Sequence, residues 1–96
     1  MLEIKLDLVE TRSAARTLNE EAGNIKKICD SLRKNKNNVL LSWQGECAAE
    51  FDVRFESWLK ETKKLTNELE TIAAQITKEA NEYEAAEKRV TDKIFI

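Results

Sequence analysis

Apolar and small side chains recur every three or four residues along two long segments of the chain. The first stripe runs from Leu8 to Val39 and is interrupted where Lys36 takes an expected apolar position. The second runs from Ala48 to Ile94. Steps of three and four residues place side chains on one face of an α-helix. The pattern therefore predicts two amphipathic helices, over about residues 8–40 and 46–91 of a single domain spanning 1–96.

Signals for helix ends agree with these two stripes. Asp7 followed by Glu10 has the spacing of a capping box, with Asp7 as the N-cap acceptor. Between the stripes lies an Asn-rich stretch that ends at Gly45, and Ser42 is positioned to cap the second helix. We therefore expect a turn at about residues 41–45. A short connection makes the helices antiparallel, so the predicted fold is an all-α helical hairpin.

Both stripes are wider than a seam for one partner helix requires. Neighbouring residues such as Ala14, Ile28 and Leu59 broaden them, which suits a bundle of more than two helices. At position 36, the lysine is expected to lay its stem along the core and keep its charge in water. We predict that the hairpin associates into a four-helix bundle with a copy of itself or a related partner. The residues expected at that interface are Leu18, Ile25, Leu32, Phe51, Phe55, Trp58, Leu65, Leu69, Ile72 and Ile76.

The amino-acid composition excludes most common types of catalytic site. The 96 residues include no His, no Pro, two Gly and two Cys. Without His, the usual zinc sets, Ser–His triads and His general bases are excluded. Cys29 lies midway along the first helix and Cys47 just after the turn, too far apart for a disulfide within the hairpin. We expect no enzyme activity, no catalytic residue, no cofactor and no metal.

Charge and hydropathy narrow the partners and the route of export. The formal net charge is −2, which provides no electrostatic footprint for nucleic acid. No run approaches the roughly 18 apolar residues of a membrane span, so stable membrane insertion is not expected. Residues 1–7 alternate charged and apolar groups and lack the apolar core of a signal peptide. The chain is expected either to stay in the cytosol or to leave it without a cleaved signal.

The predicted turn carries the triplet Trp43-Gln44-Gly45. Trp43 combines a large apolar surface with a polar N–H, while Gly45 permits tight backbone passage. A chain of about one hundred residues with two amphipathic helices and Trp-x-Gly between them resembles the WXG family. Members of that family are small helical-hairpin substrates of type VII secretion in Gram-positive bacteria and mycobacteria. The resemblance covers nearly the whole chain.

A second motif lies near the end of the second helix. Tyr83 and Glu87 form a Tyr-x-x-x-acid pattern, which resembles the family's general secretion signal. Their i, i+4 spacing places both side chains on one helical face, where a single partner can contact both. The resemblance implies a composite signal, in which this pair lies near the Trp-x-Gly turn of a bundled partner chain.

The resemblance also implies partners and a location. The chain would be made in the bacterial cytoplasm, recognised by the type VII secretion ATPase and secreted without a cleaved signal peptide. An alternative within the family is an adaptor that binds the helical N-terminal region of an LXG-domain toxin and supplies its secretion signal. A purely structural coiled coil is a third class, and it assigns no role to Tyr83 or Glu87. The ending Ile94-Phe95-Ile96 is apolar where family members often have a polar tail, so it either extends the last stripe or docks on another surface.

Overall fold

The computed structural model describes residues 6–94, with side chains up to residue 91. It contains two helices, α1 (Leu8–Leu40) and α2 (Glu46–Ile94), which pack against each other as an antiparallel hairpin. The predicted all-α hairpin is therefore confirmed. The hairpin is a rod of 76 × 19 × 18 Å. Phe95 and Ile96, which are predicted either to extend the last apolar stripe or to dock on another surface, lie outside the described residues.

Helix α1 begins with the N-cap that its sequence predicts. Asp7 has extended backbone angles, and its Oδ1 accepts a hydrogen bond from the backbone N–H of Glu10 at 3.0 Å. Its carbonyl oxygen accepts from the Thr11 N–H at 2.9 Å and from the Thr11 hydroxyl at 2.6 Å. The bond from Glu10 satisfies one of the backbone donors that the first turn of a helix otherwise leaves without partners, and the Thr11 N–H makes the first regular bond of the helix.

Ser42 ends α1 and does not cap α2, so the predicted capping role was wrong. The Ser42 hydroxyl donates to the carbonyl of Val39 at 3.3 Å, and the Ser42 N–H bonds the same carbonyl at 3.2 Å. Helix α2 begins three residues beyond the position that a Ser42 cap requires. The Gly45 carbonyl accepts the first α2 bond, from the Ala49 N–H at 3.1 Å, which makes Gly45 the N-cap residue.

The contact between the two helices is lined by small side chains. Of the buried apolar residues in the described part of the chain, only Leu59 is larger than alanine, and Thr66 is buried beside this set. Small residues let helices approach closely, but each removes little apolar surface from water. The hairpin therefore has a thin core of its own, made of Ala15, Ala22, Ala48, Leu59, Ala73 and Ala80.

One edge of this contact, which we call the charged flank, is closed by ion pairs between α1 and α2. Higher residue numbers in α1 pair with lower ones in α2, as antiparallel packing requires. Successive basic residues of these pairs are 7 or 14 residues apart in α1, and successive acidic residues are 14 apart in α2. Since seven residues are close to two helical turns, each set forms a single row along its helix. The pairs are Arg12–Glu84, Lys26–Glu70 and Arg33–Glu56.

Lys36 lies inside the contact near the turn. Its side chain is only 5% exposed, and its ammonium donates to Asp52 at 2.6 Å and to Glu56 at 2.7 Å. Arg33 also donates to both carboxylate oxygens of Glu56, at 3.3 and 3.1 Å. The prediction that Lys36 keeps its charge in water was wrong, because α2 supplies two carboxylates at the point where the ammonium emerges.

Candidate functional site

An aromatic cluster, defined as Trp43, Phe51, Phe55 and Trp58, begins at the turn and continues along α2. Ring centroids lie 5.3 Å apart for Trp43 and Phe51, and 5.6 Å apart for Phe51 and Phe55. The next pair, Phe55 and Trp58, is separated by 5.9 Å. All three pairs are tilted, an arrangement that aromatic rings favour over face-to-face stacking. Trp43 keeps 39% of its surface exposed and is therefore available to a partner.

Gly45 directs the chain from the turn into α2. Its φ of 115° lies in a region that residues with a Cβ rarely adopt. A Cβ at this position would meet no neighbouring atom, so backbone conformation and not crowding is what favours glycine here. The two residues of the motif therefore differ in role. Trp43 offers an exposed contact surface, and Gly45 sets the direction of the backbone into α2.

Tyr83 and Glu87 contact each other at the opposite end of the hairpin. The Tyr83 hydroxyl donates to Glu87 Oε1 at 3.0 Å. The same hydroxyl oxygen accepts a hydrogen bond from the Leu6 backbone N–H at 3.4 Å, just before α1 begins. Tyr83 is half-buried and Glu87 is exposed. The pair predicted as a signal therefore forms one surface that combines a phenol and a carboxylate.

Arg12 contacts the segment that carries this pair, a role that the sequence reasoning missed. One guanidinium nitrogen donates to Asn81 Oδ1 at 3.0 Å, and another donates to Glu84 Oε2 at 3.2 Å. The signal that could have found this contact is the row of basic residues in α1, separated by multiples of seven residues, which faces a similar row of glutamates in α2. Arg12 and Leu6 together hold the last turns of α2 against the start of α1.

The turn motif and the Tyr83–Glu87 pair do not meet within one chain. Glu46, the first residue of α2 after the turn, and Tyr83 are separated along the helix by about 55 Å at 1.5 Å per residue. Any surface that combines Trp43 with Tyr83 therefore requires a second chain.

The predicted bundle-interface residues lie along the edge opposite the charged flank, which we call the apolar flank. Those nearest the helix contact are half-buried: Leu18, Ile25, Leu32, Phe51, Phe55, Leu69 and Ile76. The row that points outward from α2 is more exposed, with Trp58 at 49%, Leu65 at 55% and Ile72 at 49%. Ile28 of α1 adds to the same edge at 57%. An exposed apolar surface of this kind is a candidate interaction site, and the role of these residues stays a prediction.

Other chemistry is sparse in residues 6–94. A shallow groove on the charged flank is lined by Lys26, Cys29, Arg33, Lys63 and Thr66, among others. No group of three or more His, Cys, Asp or Glu side chains in the described part of the chain is placed to hold a metal ion. Neither helix, over its described residues, is long and apolar enough to cross a membrane.

Comparisons with known proteins agree with this geometry. The WXG100 family model, described as "Proteins of 100 residues with WXG", matches residues 3–88 of the chain. Among solved structures, the chain is similar to EsxA of Geobacillus thermodenitrificans in crystal form I, with a TM-score of 0.80 and 20% sequence identity. The alignment covers 93% of this chain and 97% of that one, and at such identity the likeness shows the fold alone. A comparison with curated protein sequences gives no match.

Proposed function

The chain belongs to the WXG100 family, and from that premise we propose that it is a type VII secretion substrate recognised through Tyr83, Glu87 and the Trp43–Gly45 turn. Members of the family are small helical proteins that are secreted without a cleaved signal peptide. The observation that carries the proposal is the hydrogen bond between the Tyr83 hydroxyl and Glu87. It presents both side chains of the motif on one exposed helix face, where a partner contacts them together.

The exported species in this proposal is a dimer of hairpins. The contact between α1 and α2 buries mostly alanines, whereas the larger side chains of the apolar flank remain partly exposed. Covering Trp58, Leu65 and Ile72 contributes roughly 25 cal/mol for each Å² of apolar surface removed from water. A second hairpin laid on this flank completes a four-helix bundle.

Antiparallel pairing also explains why the two motifs lie at opposite ends of one chain. With the two hairpins antiparallel, the Trp43 turn of one chain lies beside the Tyr83 and Glu87 of the other. A dimer then carries two equivalent composite surfaces, as a two-fold axis requires. The secretion ATPase is the partner that reads this surface in the proposal.

The test is export from the producing bacterium, with the chain measured in both cell lysate and culture medium. Glu87→Ala removes the carboxylate of the pair, and Trp43→Ala removes the exposed ring of the turn. Glu82→Ala is the matched control, because Glu82 is an exposed glutamate on the same helix and outside the Tyr83–Glu87 pair. We expect the control to reach the medium like the wild type, while the other two variants accumulate as folded protein in the lysate.

Circular dichroism of each purified variant separates loss of signal from loss of fold. Retention of a folded Glu87→Ala chain supports the signal. Export of Glu87→Ala at the wild-type level contradicts it, and a wild-type chain that never leaves the cell contradicts the substrate proposal itself.

The adaptor alternative uses the same apolar flank for a different occupant, the helical N-terminal region of an LXG-domain toxin. The observation that favours keeping it is the exposure of that flank in the single chain. The mass of the purified protein discriminates the two candidates. A stable homodimer supports the self-paired substrate, whereas a chain that is folded only with a co-expressed toxin region supports the adaptor.

A further inference from the structure

We propose that Arg12 is a positioning residue of the secretion signal, so that the signal is a two-helix element and not a linear motif of α2. The inference rests on the proposed function, because it concerns how Tyr83 and Glu87 are presented to the secretion machinery. It assigns part of the signal to the start of α1, more than seventy residues away along the chain.

The contacts of Arg12 bracket Tyr83, the first residue of the motif. Its two donors reach Asn81 Oδ1 at 3.0 Å and Glu84 Oε2 at 3.2 Å, on either side of Tyr83 in sequence. The Leu6 N–H reaches the Tyr83 hydroxyl itself at 3.4 Å. A planar guanidinium with two acceptors fixes the orientation of a helix segment better than a single-point ammonium does.

This docking matters because of where the motif lies. The last turns of a helix open most easily, and beyond residue 80 the buried alanines of the helix contact have ended. Arg12 and Glu84 remain 34% and 58% exposed, so their pair orders this end without forming part of a packed core. Removing the pair lowers the fraction of chains that present Tyr83 and Glu87 in the docked arrangement.

Arg12 also lies on the charged flank and not on the apolar flank. Its substitution therefore leaves the proposed dimer surface intact, and an export defect does not follow from lost pairing. Arg33 is a matched control, because it forms the same kind of arginine–glutamate pair with Glu56 on the same flank near the turn.

The experiment compares export of full-length Arg12→Gln, Arg33→Gln and the charge-swapped Arg12→Glu/Glu84→Arg. Loss of one exposed ion pair shifts a local equilibrium about two- to fivefold. We expect secretion of Arg12→Gln to fall by at most that factor, since the docked fraction changes no more than the equilibrium constant does. Arg33→Gln should be secreted like the wild type, and the charge swap should be secreted better than the single variant Arg12→Glu, measured beside it. Hydrogen exchange of Arg12→Gln should rise in residues 81–87 while mid-helix protection is unchanged.

Each outcome is decisive. Wild-type secretion of Arg12→Gln, with Glu87→Ala retained in the cell, overturns the positioning role and leaves the proposed signal standing. Equal losses in Arg12→Gln and Arg33→Gln also overturn it, since export then follows general hairpin stability. If Glu87→Ala is itself secreted normally, the proposed function fails, whatever Arg12 does.

Discussion

At the residue scale, Lys36 shows how a charged side chain occupies an apolar stripe. Hydrogen bonds to Asp52 and then to Glu56 hold the pKa of the Lys36 ammonium above its ordinary value of 10.5. The same lysine, followed by Arg33, holds the pKa of the Glu56 carboxyl below its ordinary value of 4.5. Each raised or lowered pKa means that the charged form is favoured in the folded chain.

These pKa directions predict that the free energy of unfolding is highest at intermediate pH and falls at both alkaline pH (the alkaline limb) and acidic pH (the acid limb). The Lys36 contribution is complete below pH 10.5 and is lost as pH rises through its higher folded pKa. The Glu56 contribution is complete above pH 4.5 and is lost as pH falls through its lower folded pKa. We expect Lys36→Met to remove the alkaline limb and to shrink the acid limb, because Arg33 still pairs with Glu56.

Urea unfolding at a series of pH values, followed by circular dichroism, measures this effect. Lys64→Met is the control, since Lys64 is an exposed lysine of α2. An alkaline limb that is unchanged in Lys36→Met would show that the Lys36 pairs contribute nothing to the pH dependence.

Replacement of each of the two glycines by alanine is expected to change the free energy of unfolding in opposite directions. Gly45→Ala forces a Cβ into a φ of 115°, at a cost of about 1–3 kcal/mol in free energy of unfolding. Gly23→Ala is the matched comparison, because Gly23 lies within α1 and a Cβ there meets no atom within 4 Å. Alanine favours a helix by about 1 kcal/mol over glycine, so Gly23→Ala should be more stable than the wild type. Equilibrium unfolding of both variants provides the measurement, and destabilisation of equal size in the two would contradict the distinction.

At the element scale, the ends of the helices follow from local chemistry. The N-cap bond from Glu10 to Asp7 was predictable because capping depends on residues three apart. The role of Ser42 was not, since its hydroxyl can serve the helix before it as well as the one after it. Gly45 accepts the first hydrogen bond of α2 through its own carbonyl, so α2 starts after Gly45 and the Ser42 hydroxyl serves α1.

The hairpin and the family were likewise predictable from periodicity and from Trp43 with Gly45, and both are confirmed. The contacts of Lys36 and Arg12 were not, because each joins α1 to residues of α2 whose distance depends on the register of the two helices. The rows of basic residues in α1 and of glutamates in α2 indicate this register, but only if the two helices are taken to be antiparallel. The roles of Tyr83, Glu87 and the bundle-interface residues remain predictions.

Removal of the α1 cap should loosen one end of the molecule selectively. Asp7→Ala loses the bond to the Glu10 N–H, which is worth about 1 kcal/mol. We expect hydrogen exchange to rise in the first turn of α1 and, through Leu6, around Tyr83. Asp30→Ala, an exposed acid in the middle of α1, is the control. Uniform loss of protection along both helices in Asp7→Ala would contradict a local cap.

At the scale of the whole molecule, the thin alanine core and the apolar flank predict association. Leu65→Glu places a carboxylate in the middle of the flank without disturbing the contact between α1 and α2, because Leu65 is 55% exposed in the single chain. The expected result is a chain with the 11.0 kDa mass of a monomer, whereas the wild type is expected to have twice that mass. Val53→Glu is the control, since Val53 is 70% exposed but lies away from the apolar flank.

Analytical ultracentrifugation over a range of concentrations measures the mass of each variant. A dimeric Leu65→Glu would exclude the apolar flank as the pairing surface. A wild-type chain that remains monomeric at every concentration would exclude self-pairing and direct attention to a different partner hairpin.

The alanine-lined contact also decides what size of opening the folded chain can pass. A globular domain of about this length has a radius of gyration near 13 Å, whereas the hairpin has 22.0 Å because its mass is spread along one axis. Close approach of the helices keeps its cross-section at 19 × 18 Å. Travelling end-on, a single hairpin needs an aperture only two helices wide, and the proposed dimer needs one wide enough for four helices. Larger residues at the alanine positions would widen the rod along its whole length and raise that threshold.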